Sequence, residues 1–173
     1  SGETFDTLSA LKFSQSKGAK TAAVVNVMGS SIARMVDKVI LQGSGPEICV
    51  ISTKAALSQM VVLTLLAMKL GLKKKVISKK AYQENLKSLK ELPAIIQGIL
   101  NERSGFIHRI ANKYCKNKNW LYLGRGIYYP IALESALKMK EVAYVHAEGM
   151  PAGFLKHGTL AMIDDDISSI VFV

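Results

Sequence analysis

The amino-acid sequence predicts an α/β protein: doubly wound, three-layer αβα, with parallel strands. Three observations predict it. Short β-prone runs at Ala22–Val27, Val39–Leu41, Trp120–Leu123 and Ile167–Val173 alternate with longer helix-forming segments. Ala22–Val27 is short and mostly apolar, the pattern of a strand buried within a parallel sheet. Ile131 to His146 contains no Gly and no Pro and is apolar over most of a helical wheel, which marks a packed helix.

In chain order, Ser1-Gly2-Glu3-Thr4 precedes a helical run, Phe5 to Lys17, which Gly18 ends as a C-cap would. The first strand follows, then a turn at Gly29-Ser30-Ser31 and a short helix over Ile32–Val36. The second strand ends at Gly43-Ser44-Gly45-Pro46. A strongly apolar helix is expected from about Thr53 to Leu70. Basic Gly71–Lys80 separates the halves. Ala81–Leu100 and Phe106–Lys116 read as two amphipathic helices, with Pro93 near a break. Trp120–Leu123 leads through Gly124-Arg125-Gly126 into the helix opened by Pro130, which suits a first turn. A Gly- and Pro-containing loop, Gly149 to Gly158, precedes Leu160–Ile163, the acidic turn Asp164–Asp166 and the last strand. The expected division is 1–78 and 79–173.

Composition excludes several classes. With 173 residues, 49% of them apolar, the chain is globular rather than disordered. Met60 to Leu70 contains Lys69 and falls short of the roughly 18–20 residues that cross a bilayer, so no membrane role is expected. No secretory signal is visible at the start. Cys49 and Cys115 match no metal spacing and suit a reduced, cytoplasmic setting. The net charge of +10 sits largely in Lys73–Lys75, Lys79–Lys80 and Lys113–Lys118. Without aromatic interleaving or a nucleic-acid signature it reads as a solvated surface that attracts phosphorylated metabolites. The turn Gly124-Arg125-Gly126 could hold a ligand but lacks the dinucleotide fingerprint, so no cofactor is expected.

Two regions carry candidate chemistry. On the long helix, Glu134, Lys138 and Glu141 share one stripe, while Leu133, Ala136, Leu137, Met139 and Ala143 cover most of the rest. The stripe faces either a cavity or partner, or solvent as an i,i+4 pair. Lys156 and His157 follow in a turn-rich loop and complete a plausible proton-transfer set. The second region is Ser1–Thr4 together with Ser52-Thr53. Hydroxyls and free backbone N–H groups at helix starts hold phosphate without a lysine, though by spacing alone such residues more often serve as ordinary N-caps.

The segments SGETFDTL, GPEICVISTKA, GRGIYYPIALESALKMKE, HAEG and LKHGTLAMID resemble the isomerase portion of the glutamine–fructose-6-phosphate aminotransferase family. That portion consists of two sugar-isomerase (SIS) domains, and the resemblance covers nearly the whole chain. It implies the later part of the first SIS domain and the earlier part of the second. It further implies that Ser1 and Thr4, with the Gly2 backbone, bind phosphate, and that Val50 and Ser52 line the sugar. Glu141 would move the proton between C1 and C2, with Lys138 near the reacting carbons. Glu134 would be a further acid–base or electrostatic contributor. His157 would act in ring opening at the neighbouring subunit's site, which implies a homodimer. The substrate implied is fructose 6-phosphate, and the nitrogen source is glutamine through a glutaminase domain absent from these residues.

The chain also departs from that pattern. The Ser-Gln that precedes SGET, the earlier phosphate loop, the C-terminal lysine tail and the glutaminase cysteine are absent, and Phe154 stands where the family has Glu. The expectation is therefore a fragment, inactive alone. Two rival readings remain: a non-catalytic phosphosugar-sensing SIS module, and another SIS isomerase or deglycase.

Overall fold

The computed structural model describes residues 1–173. Twelve elements follow one another: α1 (Phe5–Ser16), β1 (Ala22–Val25), α2 (Ser31–Met35), β2 (Lys38–Leu41), α3 (Lys54–Lys73), α4 (Lys79–Tyr114), β3 (Asn119–Gly124), α5 (Tyr128–Ala143), β4 (His146–Pro151), two 3₁₀ segments (Ala152–His157 and Thr159–Met162) and β5 (Ile167–Phe172). All strand pairs are parallel, as the alternation of elements predicts. The chain forms two compact units, Ser1–Pro93 and Ala94–Val173.

In the first unit β1 and β2 pair from Ala22↔Lys38 to Val25↔Leu41. Asp37 ties the two strand starts together, accepting from Thr21 N at 2.7 Å and Thr21 Oγ1 at 3.0 Å. Leu11 of α1, Val25 of β1 and Ile32 of α2 form the buried core. Ser30 caps α2 by accepting from Ala33 N at 3.4 Å. Gln15 Nε2 donates to Met35 O at 2.6 Å and holds α1 to the end of α2.

The start of α3 is fixed beside the end of β2. Gln42 Nε2 donates to Ala55 O at 2.8 Å, and Ser58 Oγ donates to Gln42 O at 3.0 Å. Thr53 occupies the N-cap position without a side-chain bond; Glu47 Oε1 instead accepts from Ala55 N at 2.8 Å. The capping oxygen that the sequence reading expected from Ser52-Thr53 thus comes from a residue earlier in the loop. The helix itself corrects a second expectation. It runs 20 residues, with an 18-residue window of mean hydropathy 1.7, which meets the length and hydropathy of a membrane-crossing segment. Only Met68 is buried along it.

In the second unit β3 is central, with sheet order β4-β3-β5. The strands are level: Asn119 pairs with His146 and Ile167, and Gly124 with Pro151 and Phe172. Trp120–Leu123 are buried from edge to edge of the strand, as a central parallel strand requires. Ala132 and Ala136 seat α5 on this sheet, where Trp120, Tyr122 and Ala147 complete the core.

Four expectations are corrected here. Residues 146–151 form β4, where the sequence suggested the end of a helix and a loop; the segment has no β-branched residue and owes its strand state to in-register pairing with β3. The long helix therefore stops at Ala143, and Tyr144 takes a left-handed conformation (φ 54°, ψ 35°) to turn the chain into β4. Pro130 lies third in the helix, within its first turn as expected. Only Ala132 and Ala136 of α5 are buried, so Leu133 and Leu137 are exposed. In addition, α4 is one helix of 36 residues that includes Pro93, not two helices. A proline removes one backbone bond, and the helix-forming residues on either side continue past it.

Candidate functional site

The sequence-derived candidates fall into two groups, one in each unit. In the first unit the loop Ser1–Thr4 lies at the carboxyl end of β1. A Cβ on Gly2 would stand 2.2 Å from Ser30 Oγ and 3.5 Å from a Val25 methyl, so the loop presses against the last residue of that strand. Gly2 has φ +90°, a conformation side-chain-bearing residues rarely adopt, and packs on Ser30, which is 2% exposed. Thr4 N-caps α1 and its carbonyl accepts from Leu8 N at 3.0 Å; its hydroxyl makes no capping bond. Ser1 Oγ accepts from Glu3 N at 3.4 Å.

The other loop of this group is drawn to the same end of the sheet. Asn26, which follows β1, donates from Nδ2 to Gly45 O at 2.7 Å and accepts from Ser44 N at 3.1 Å. Gln42 N donates to Val25 O at 2.9 Å. Ser52, half-buried, and Val50, whose side chain is exposed, lie further along this loop before α3. Parallel α/β sheets expose their ligand-binding loops at this carboxyl edge.

In the second unit α5 presents the charged stripe. Lys138 Nζ donates to Glu141 Oε2 at 2.6 Å and lies 3.4 Å from Glu134 Oε1. The Lys138 and Glu141 side chains are mostly covered, at 22% and 27% exposure, while Glu134 is at 46%. The hydrogen bond to Glu141 and then the Glu134 charge raise the Lys138 pKa above its ordinary value, against the opposing effect of burial. Lys138 is therefore an ammonium at neutral pH, a donor and a positive charge rather than a base.

His157 closes the first 3₁₀ segment, beyond the carboxyl end of β4, and is exposed. Its ring meets the edge of Phe154 at 6.1 Å between centroids. Lys156 beside it is exposed and makes no ion pair. An apolar cleft of about 490 Å³, lined by Ile107, Tyr114, Trp120, Met139 and Val145, lies in the same unit but contains none of the candidate residues.

Comparison with known proteins bears on both groups. The SIS domain family matches residues 1–69 and 113–173. The chain belongs to the SIS domain family. The two matched stretches hold every candidate residue, and α4 fills most of the gap between them. This SIS chain is 43% identical over 95% of its length to the glutamine--fructose-6-phosphate aminotransferase [isomerizing] of Caldanaerobacter subterraneus, and 47% identical over 99% to that of Chlorobaculum tepidum. It spans only 27–28% of the length of these curated relatives. A solved structure, the C-terminal domain of glucosamine-fructose-6-phosphate aminotransferase from Francisella tularensis, superposes with a TM-score of 0.94 at 36% identity. The match covers 99% of this SIS chain and 48% of that one.

Sequence reasoning quoted the SGET motif but passed over its acidic member. Glu3 Oε1 accepts from Ser31 N at 2.8 Å, across 28 positions of sequence. The signal that could have found it is chemical: a carboxylate inside a loop read as anion-binding needs a partner to neutralise it. Glu47, which caps α3, carried no comparable signal.

Proposed function

We propose that this SIS chain is the isomerase portion of an enzyme that converts fructose 6-phosphate to glucosamine 6-phosphate, for amino-sugar synthesis in the cytoplasm. The observation that carries the reading is the Lys138–Glu141 pair, held at 2.6 Å on α5 within a stretch the SIS family matches. Ser1, Thr4 and the Gly2 backbone bind the phosphate, and Val50 and Ser52 line the sugar. Ammonia released from glutamine condenses with the C2 carbonyl and water leaves. The Glu141 carboxylate then takes a proton from C1 as the C1–H bond breaks, and the C1=C2 bond forms while the C2 imine nitrogen takes a proton. Return of the proton to C2, with loss of the C1 hydroxyl proton, leaves the aldehyde at C1 and the amine at C2. The ammonium of Lys138 stabilises negative charge that develops on the C1 oxygen. Glu134 is a further acid–base or electrostatic contributor, 3.4 Å from that lysine.

The remaining assignments complete the reading. The phosphate-binding part is residues 1–78, and 79–173 supplies connecting helices and the catalytic helix. His157 assists ring opening in the site of a second copy, which requires a homodimer. Glutamine supplies the nitrogen through a glutaminase domain like the one the relatives' name implies.

The experiment follows solvent deuterium entering the sugar carbons when the full-length protein is incubated with fructose 6-phosphate. Glu141→Gln should lower the exchange rate by roughly 10²–10⁴-fold while leaving sugar-phosphate affinity in place. Exchange at the wild-type rate in this variant would remove Glu141 from the role of base.

A further inference from the structure

We propose that Glu3 is a positioning residue: its carboxylate clamps the Ser1–Thr4 loop to the first turn of α2, and so holds Ser1 and Thr4 ready for a sugar phosphate. The inference rests on the proposed phosphate-binding role of that loop and adds to it the part that sets its shape.

Two successive residues of the loop bond to two successive residues of the helix. Gly2 O accepts from Ile32 N at 3.1 Å, and Glu3 Oε1 accepts from Ser31 N at 2.8 Å. Beneath them Gly2 lies against buried Ser30 with no space for a Cβ. The bonds join parts of the chain about 30 positions apart, so the shape of the loop is not local. Without the side-chain bond, only the Gly2 carbonyl and the glycine contact would remain.

The clamp also resolves an electrostatic conflict. A phosphate dianion and a free carboxylate in one four-residue loop repel each other. Here the carboxylate is directed to Ser31. The Ser31 hydroxyl and N–H, with Arg34 contributing, hold the Glu3 carboxyl below the ordinary carboxylate range. Arg34 Nη2 donates to Ser31 Oγ at 3.4 Å and completes the group. The negative charge of Glu3 is thus committed to one side of the loop, while the start of α1 remains available to an anion.

Three variants of the full-length protein test the idea, with fructose 6-phosphate affinity measured by calorimetry and KM measured alongside kcat. Glu3→Ala removes the clamp and should weaken affinity by about 5–30-fold, the scale of one lost charge-assisted hydrogen bond, with the effect falling on KM more than on kcat. Glu3→Gln keeps an acceptor oxygen for Ser31 N and should recover most of that loss. Ser31→Pro removes the donor without touching the loop. Proline is accepted at this first helical position, and Ser30 before it already has φ −67° and ψ 158°, the conformation a following proline favours. It leaves the carboxylate unpartnered beside the phosphate and should weaken affinity at least as much as Glu3→Ala.

Wild-type affinity in Glu3→Ala or in Ser31→Pro would overturn the clamp; if Glu3→Ala does not fold, Ser31→Pro decides alone. Thr4→Ala separates this outcome from failure of the parent reading. If Thr4→Ala weakens binding and the clamp variants do not, only the clamp is wrong. If Thr4→Ala binds normally, the loop is not the phosphate site and the clamp falls with it.

Discussion

Lys138 Nζ lies 2.6 Å from Glu141 Oε2, one turn away on α5, and the same nitrogen lies 3.4 Å from Glu134. One cation thus serves two carboxylates on a helix that seats on its sheet through Ala132 and Ala136. The pair uses only one oxygen of Glu141. In the proposed reaction the other receives the proton, so the lysine can hold the base in place without occupying it.

This arrangement has a pH signature. The folded-state pKa of Lys138 is raised, so its contribution to stability is fully present below the unfolded lysine value and is lost as pH rises through the folded value. Lys138→Met should lower the thermal midpoint at pH 7 to 9, and the gap from wild type should narrow in strongly alkaline buffer. Thermal melts across that range check it; a gap that is constant with pH would mean the lysine stabilises through packing of its stem.

Asp37 predicts the opposite slope. Hydrogen bonds from the Thr21 backbone N–H and the Thr21 hydroxyl, with Lys20 at 3.7 Å, hold its carboxyl below the ordinary 3.8. A depressed value means stability present above pH 3.8 and lost as pH falls through the folded value. Asp37→Ala should be less stable than wild type near neutrality and converge with it in strong acid. Denaturant titrations at several acidic pH values would show the convergence; its absence would show that the bond does not depend on charge.

Glu47 predicts a loss confined to one helix start. It supplies the oxygen for Ala55 N that Thr53 does not. Glu47→Ala should cost about 0.5–2 kcal/mol, the range for losing a helix cap. Amide hydrogen exchange should quicken in the first turn of α3 while β3 stays protected. Uniform exchange across the chain would deny the capping role.

The proposed action of His157 across two subunits has its own test. Neither His157→Ala nor Glu141→Gln alone should be fully active. In mixed dimers, one of the two sites regains both groups, and activity should return to about half of wild type per dimer. With dimers verified by ultracentrifugation, lack of recovery would place His157 in its own subunit's chemistry or in none.

Much of this was legible from the residues. Parallel strands at β1, β2, β3 and β5 follow from short apolar runs between helices, and the Glu134–Lys138–Glu141 stripe follows from helical spacing alone. The strand β4 was hidden because HAEGMP has no local preference for extension and gains it from its neighbour β3. The continuity of α4 was hidden because Pro93 signals a break strongly in sequence, yet removes a single bond in the helix. The Glu3 contact was hidden because its partner is 28 positions away. For β4 and for Glu3 the deciding interaction lies outside the window in which a local pattern is read.

The seating of α5 on β4 bears on heredity as well as on packing. At Gly149 a Cβ would stand 2.7 Å from Leu133 Cα and 2.8 Å from the Ala132 carbonyl oxygen, both of them backbone atoms that cannot rotate aside. Every single-base change in a glycine codon that is not silent gives a residue that carries a Cβ, or a stop. All one-step missense alleles at this codon therefore meet the same obstruction, whatever the chemistry of the new side chain. In a saturation library, position 149 should return a single surviving residue while its exposed neighbour Glu148 drifts freely.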